Sequence, residues 1–127
     1  MANYRTIEIK AFVPAKDFRL SQEFYVDLGF NLAWGDDHLA EFRCDEASFL
    51  LQNFYNEAHA ANFMMHLLVE DVDAWWAKVE ARNIAEKYGV TVQPPEDRPW
   101  GLRDFVLVDP TGVLWRIAQT MRRSPAD

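Results

Sequence analysis

One pattern is written twice along this chain, and it limits the fold more than any other feature. Asp17 precedes a segment in which Phe18, Phe24, Tyr25 and Leu28 recur at near-helical spacing, and Gly29 stops it. Asp71 precedes a second segment, in which Val72, Trp75, Trp76 and Val79 form an apolar face that fades near Asn83. An aspartate just ahead of an apolar periodic run is a helix N-cap, and a glycine just after one takes the left-handed residue that ends it. The two caps lie 54 residues apart, close to half the chain.

Strand signals surround both helices in the same order. Ile7–Val13 reads as a strand closed by Pro14. After the first helix, Asn31–Trp34, Leu39–Arg43 and Ser48–Phe54 are strands separated by the turns Gly35-Asp36-Asp37 and Cys44-Asp45-Glu46. Tyr55–Asn62 reads as a loop joining the halves. Phe63–Val69 is then a strand, Val90–Val92 a short one, Pro94–Pro99 a proline-rich loop, and Phe105–Val108 with Val113–Ala118 a hairpin around Asp109-Pro110-Thr111-Gly112. The expectation is one α+β domain over residues 1–127, with strand–helix–three-strand repeats at about 5–54 and 63–119. Each sheet then has one face under its helix and one open face. Two such sheets can curl around a cleft, within the chain or across a dimer, and the open faces are where function belongs.

Composition narrows the partners. Half the residues are apolar and 14% aromatic, which suits a packed domain. Twenty acidic against thirteen basic residues give a formal charge of −7, the wrong sign for a nucleic-acid surface. That charge attracts a cationic ligand at long range, although solubility alone accounts for most acidic proteins. Cys44 is the single cysteine, so there is no internal disulfide and no thiol cluster for a metal. Met1–Arg5 carries no basic region leading into a long apolar segment, and the longest near-apolar run, Phe63–Val69, is too short for a bilayer. The expectation is a soluble cytoplasmic protein without membrane contact.

Three stretches then carry a resemblance. "DFRLSQEFYVDLGF" followed by hairpin strands, "MMHLLVEDVDAWWAKV", and "RPWGLRDFVLVDPTGVLWRIAQ" resemble the vicinal oxygen chelate superfamily, which includes glyoxalase I, extradiol dioxygenases, fosfomycin resistance enzymes and bleomycin resistance proteins. The resemblance runs from about Ile7 to Gln119. It implies the glyoxalase/bleomycin resistance fold, two βαβββ units around a cleft. Its enzymes hold a divalent metal through His, Gln or Glu on the first strand, on the strand opening the second half, and on the last strand. At those positions this chain has Lys10, Met64 and Arg116. A guanidinium stays protonated and repels a divalent cation, and Lys and Met are poor ligands for a hard or borderline metal. The resemblance therefore implies no metal and no cofactor. A shifted site at Glu8, His66 and Glu41, serving a metal-dependent lyase, isomerase or dioxygenase, is the alternative.

Loss of the ligands points to the bleomycin resistance branch, whose members sequester the drug as homodimers with clefts at the interface. The implied function is non-enzymatic binding of a small molecule, a bleomycin-type antibiotic among the candidates, planar or cationic and stacked on cleft aromatics. The expected contacts are Trp34, Phe42, His66, Trp100, Arg103 and Arg116. Bland readings stand beside several of these. Trp100 either plugs the sheet end or offers a stacking platform, and Trp34 either lines the cleft or seals an edge. His66 is either a hydrogen-bonded core residue or a polar cleft contact. Arg103 and Asp104 pair with each other or with a ligand. His38 reads as a solvated loop residue, Trp75 and Trp76 as packing, and Asp109 as turn chemistry alone.

Overall fold

The computed structural model describes residues 2–121. Its elements run β1 (Phe12–Pro14), α1 (Phe18–Leu28), β2 (Asn31–Gly35), β3 (Leu39–Cys44), β4 (Ala47–Gln52), α2 (Glu57–Asn62), β5 (Met64–Leu68), α3 (Val72–Ala81), α4 (Ile84–Tyr88), β6 (Val92–Asp97), β7 (Leu102–Val108) and β8 (Leu114–Thr120). Two four-stranded mixed sheets result, in the orders β1-β4-β3-β2 and β5-β8-β7-β6. In each, the first strand lies parallel to the last and the other pairs are antiparallel. This is the glyoxalase/bleomycin resistance architecture, α+β, that the repeated pattern leads one to expect.

Both caps form. The Asp17 carboxylate accepts from the Leu20 N–H at 3.1 Å, and that of Asp71 from the Ala74 N–H at 3.0 Å. Each such cap is worth about 1 kcal/mol against alanine. Gly29 ends α1 at φ 125°, where its N–H reaches the carbonyls of Tyr25 and Val26. The positive φ is what asks for glycine there, while the Lys78 ammonium that a Cβ would meet is the mobile end of a long side chain.

The helix-side faces of the two sheets share one core. Tyr25, Phe30, Phe42 and Phe49 from the first half meet Trp115 from the second, with the Tyr25 and Trp115 ring centroids 5.5 Å apart. Around it sit Leu28, Leu51, Phe105, Leu107 and Ile117, all fully buried. Trp75 and Trp76 pack at its margin, the latter edge-on to Phe105 at 5.3 Å. Because one core consumes both inner faces, the open faces of the two sheets point away from it.

Several local expectations change. Asp109 does more than close a turn. Its Oδ1 accepts from the N–H groups of Thr111, Gly112 and Val113, while its Oδ2 takes the buried Tyr25 hydroxyl at 2.5 Å. Trp115 Nε1 donates to the same Tyr25 oxygen at 2.9 Å. The Tyr55–Asn62 loop contains α2, which Asn56 caps through the His59 N–H. The strand expected at Val90–Val92 instead runs Val92–Asp97 through Pro94 and Pro95. Two prolines fit there because β6 is an edge strand with a register break between Gln93 and Glu96. The first strand begins at Phe12 rather than Ile7, since only three of its residues find a partner in β4. Ile7 and Ile9 before it are 93% and 96% exposed.

Candidate functional site

Strand parity decides which side chains reach the open faces. On β8, Trp115 and Ile117 are buried in the core, so Leu114, Arg116 and Ala118 share the other side. His66 on β5 stands directly across from Arg116, and Val106 on β7 lies opposite it on the far side. His66 is exposed, as are Met64 and Leu68 on its face; the core reading of this histidine does not hold. Parity explains it, because the core takes Leu67 from β5 and leaves its neighbours outside.

Arg116 does not stand alone. Its Nη1 lies 3.4 Å from both carboxylate oxygens of Asp104 on β7. Asp104 is 1% exposed and also accepts from Arg98 Nε at 3.0 Å. Arg98 in turn pairs with Glu96 at 2.8 Å. A buried carboxylate between two guanidiniums is a satisfied arrangement, and each charge-assisted bond contributes about 1.5–3 kcal/mol. Sequence reasoning missed Arg98. The available signal was its place at the base of the Pro99-Trp100-Gly101 tip, six residues ahead of Asp104. Trp100, at that tip, is 62% exposed and therefore not a plug in the core.

The first sheet's open face holds a second charged group. Glu41, on β3, is buried, with Lys10 Nζ 3.5 Å and Arg43 Nε 2.9 Å from its Oε2. Glu8 closes the set by pairing with Lys10 and with Arg43 Nη2, the latter at 2.5 Å. These partners hold the Glu8 carboxyl below its usual range, Lys10 first and then Arg43, and they raise Lys10 and Arg43 in return. Trp34 on β2 lies opposite Glu41 in the antiparallel register and is half exposed.

Two of the expected contacts fall elsewhere. Phe42 alternates with Glu41 and so faces the core, fully buried and stacked on Phe49 at 5.6 Å with an 18° interplanar angle. Arg103 shares its side of β7 with Phe105 and Leu107, toward α3. There it binds Asp73 and Asp97, each at 3.0 Å, rather than Asp104 beside it. Trp34, His66, Trp100 and Arg116 are the four that reach open faces or their rims, in two sheets rather than one cluster.

The family's metal chemistry does not fit these residues. The positions that the resemblance gives to the metal ligands hold Lys10, Met64 and Arg116, none of them a good donor for such a metal; Glu8 is hydrogen-bonded by Lys10 and Arg43, and Glu41 lies within ion-pair distance of the same two cations. Among the described residues of one chain, no three His, Cys, Asp or Glu side chains converge as a metal-holding group, so Glu8, Glu41 and His66 do not form one.

Solved structures share this fold. A bleomycin-binding protein from Streptomyces verticillus, complexed with copper(II)-bleomycin, is 24% identical over 94% of this chain and 100% of its own, with a TM-score of 0.72. TnmS3, an antibiotic-binding protein from Streptomyces sp. CB03234, is 26% identical over 92% and 99%, with a TM-score of 0.71. A lactoylglutathione lyase from Agrobacterium tumefaciens is 17% identical over 92% and 96%, with a TM-score of 0.67. No curated protein matches the sequence. The family model for the glyoxalase/bleomycin resistance protein/dioxygenase superfamily matches residues 9–117, and with the paired four-stranded sheets this establishes that the chain belongs to that superfamily.

Proposed function

We propose that this protein binds and sequesters a planar small molecule, an antibiotic of the bleomycin type, without transforming it. The observation that carries the reading is the Arg116–Asp104 pair. At the strand position where the superfamily's enzymes place a metal-binding carboxylate, this chain has a permanent cation whose counter-charge is already buried beside it. Exposed aromatics supply the alternative way to hold a ligand. Trp34 and Trp100 stack on no other aromatic ring among the described residues, so each has ring area to offer. His66 and Arg116 add polar contacts on the open face of the second sheet, and the names of the bleomycin-binding and antibiotic-binding structures support the ligand class.

The working form in this reading is a cytoplasmic homodimer. Ile7, Ile9 and Tyr4 are each more than nine-tenths exposed in a single chain, and Phe12, Met64 and Leu68 are at least half exposed on the sheets' outer faces. A second copy is the natural cover for that much apolar surface, and it would bring open faces together into clefts. Titration of the purified protein with metal-free bleomycin, followed by tryptophan fluorescence, tests the proposal. A saturable change at micromolar ligand is expected, and no response would remove the drug from consideration. Stoichiometric, chelator-sensitive zinc, nickel, manganese or iron in the purified protein would sink the binding-only reading.

A further inference from the structure

The strand that leads into Trp100 is weakly laddered. β6 lies at the sheet edge, and Pro94 and Pro95 within it have no N–H to donate. Its register with β7 breaks between Gln93 and Glu96, which leaves Glu96 and Asp97 as the paired residues ahead of the tip. The tip itself is a tight turn. The Gly101 N–H donates to the Arg98 carbonyl at 3.2 Å, and the Arg98 N–H donates to the Leu102 carbonyl at 2.7 Å. Pro99 pre-sets one dihedral of that turn, and Gly101 follows at φ 91°, a conformation that favours glycine. The Trp100 ring is largely exposed and adds little hold of its own. The turn is thus defined in itself, and its fastening to the sheet below falls to other side chains.

Two guanidiniums supply what the broken ladder lacks, one on each side of β6. On the helix side, Arg103 binds Asp97 of β6 and Asp73 of α3, each at 3.0 Å. On the open side, Arg98 places Nε 3.0 Å from Asp104 Oδ1 and Nη1 2.8 Å from Glu96 Oε2. The two clasps differ in what they grip. Asp73 and Asp97 are exposed, so water competes for both of their ion pairs. Asp104 is buried and has no water to take in place of Arg98, which makes this the firmer hold. Arg116 reaches the same Oδ1 from β8, at 3.4 Å. The base of the Trp100 tip and the cation of the open face are thereby fixed to one buried oxygen.

We infer that Arg98 is a positioning residue for Trp100: its bridge from Glu96 to Asp104 holds the tip in one fixed relation to Arg116 before any ligand arrives. A ring set in advance spares binding the cost of ordering it. The inference rests on the reading of Trp100 as a stacking contact, but its first test needs no ligand. In the free full chain, Arg98→Gln should lower the nitrogen heteronuclear NOE at the Trp100 and Gly101 amides and at the Trp100 indole. The indoles of Trp34, Trp75, Trp76 and Trp115 should keep theirs. The bleomycin dissociation constant should rise about fivefold, the scale of one loosened side chain that the ligand must order. In a Trp100→Ala background, Arg98→Gln should add no further loss, because Arg98 acts through that ring. Arg98→Lys offers Asp104 a charge through one nitrogen in place of two. It should lower the tip NOE by less, and it carries the test should Arg98→Gln not fold. An unchanged NOE at the tip, an equal drop at every indole, or additive losses in the double variant would each overturn the role. If the unsubstituted protein does not bind bleomycin, the ligand reading fails, and the NOE comparison in the free chain still decides the positioning.

Discussion

Arg116 and Asp104 meet diagonally across β8 and β7, the guanidinium 3.4 Å from both oxygens of a carboxylate that is itself 1% exposed. With Arg98, the pair forms a closed electrostatic unit. Asp104→Ala should therefore destabilise the fold by about 1.5–3 kcal/mol, the scale of lost charge-assisted bonds, since both arginines retain some access to water. Urea unfolding measures it. Arg116→Glu, which restores a carboxylate at the family position, should destabilise as well, because the new anion meets Asp104. Isothermal titration of that variant with zinc or nickel should show no stoichiometric binding.

Tyr25 lies at the centre of the core network, and its loss has a pH signature. Burial, followed by the neighbouring Asp109 carboxylate, pushes the phenol well above its usual value. A group raised in the folded state stabilises fully below its unfolded pKa and less as pH climbs past it. Stability should thus hold below about pH 10 and fall above it, where the unfolded phenol ionises and the folded one resists. Tyr25→Phe should cost about 1–3 kcal/mol at neutral pH, by orphaning Asp109 Oδ2 and Trp115 Nε1, and should flatten the alkaline decline. Chemical denaturation at a series of pH values reads both.

Ligand stacking is open to direct substitution. Trp100 is largely exposed at a hairpin tip and makes no aromatic contact in the described chain, so Trp100→Ala should leave stability within about 0.5 kcal/mol. Binding of bleomycin should weaken by about 1–3 kcal/mol if the ring is a platform. Trp34→Ala is the matching test on the other sheet. An unchanged dissociation constant for either variant removes that residue from the site.

The segment before β1 offers a test of association. Ile7 and Ile9 alternate with Glu8 and Lys10, whose charges engage Arg43 and Glu41 and leave the isoleucines outward. In the proposed dimer, Ile7→Glu combined with Ile9→Glu should shift the protein toward monomer in light scattering after size exclusion, with circular dichroism retained. A dimer of undiminished stability would place the interface elsewhere.

Much of the fold could be read before any coordinates. Asp17 and Asp71 announce their helices because a cap acts through its own next three residues, and Gly29 stops a helix by its own φ. Alternation on β8 separates Trp115 and Ile117 from Arg116 without reference to anything distant. The misread elements depend on neighbours instead. Residues 7–10 have strand alternation but no partner strand among the described residues, and β6 carries two prolines that only an edge position tolerates. The candidate site divides the same way. Phe42 and Arg103 are plausible ligand contacts by residue type, but which face of β3 and β7 meets the helix was decided by packing.

The sequence by itself determined the repeat, the two capped helices and the superfamily, because each is carried by residue identity and local spacing. Tertiary structure alone decided that Asp104 pairs with both Arg116 and Arg98, and that Asp109 reaches across to Tyr25. Those outcomes join residues far apart in the chain or in different sheets. They depend on strand register and on which faces the shared core consumes, quantities fixed only when both halves pack together.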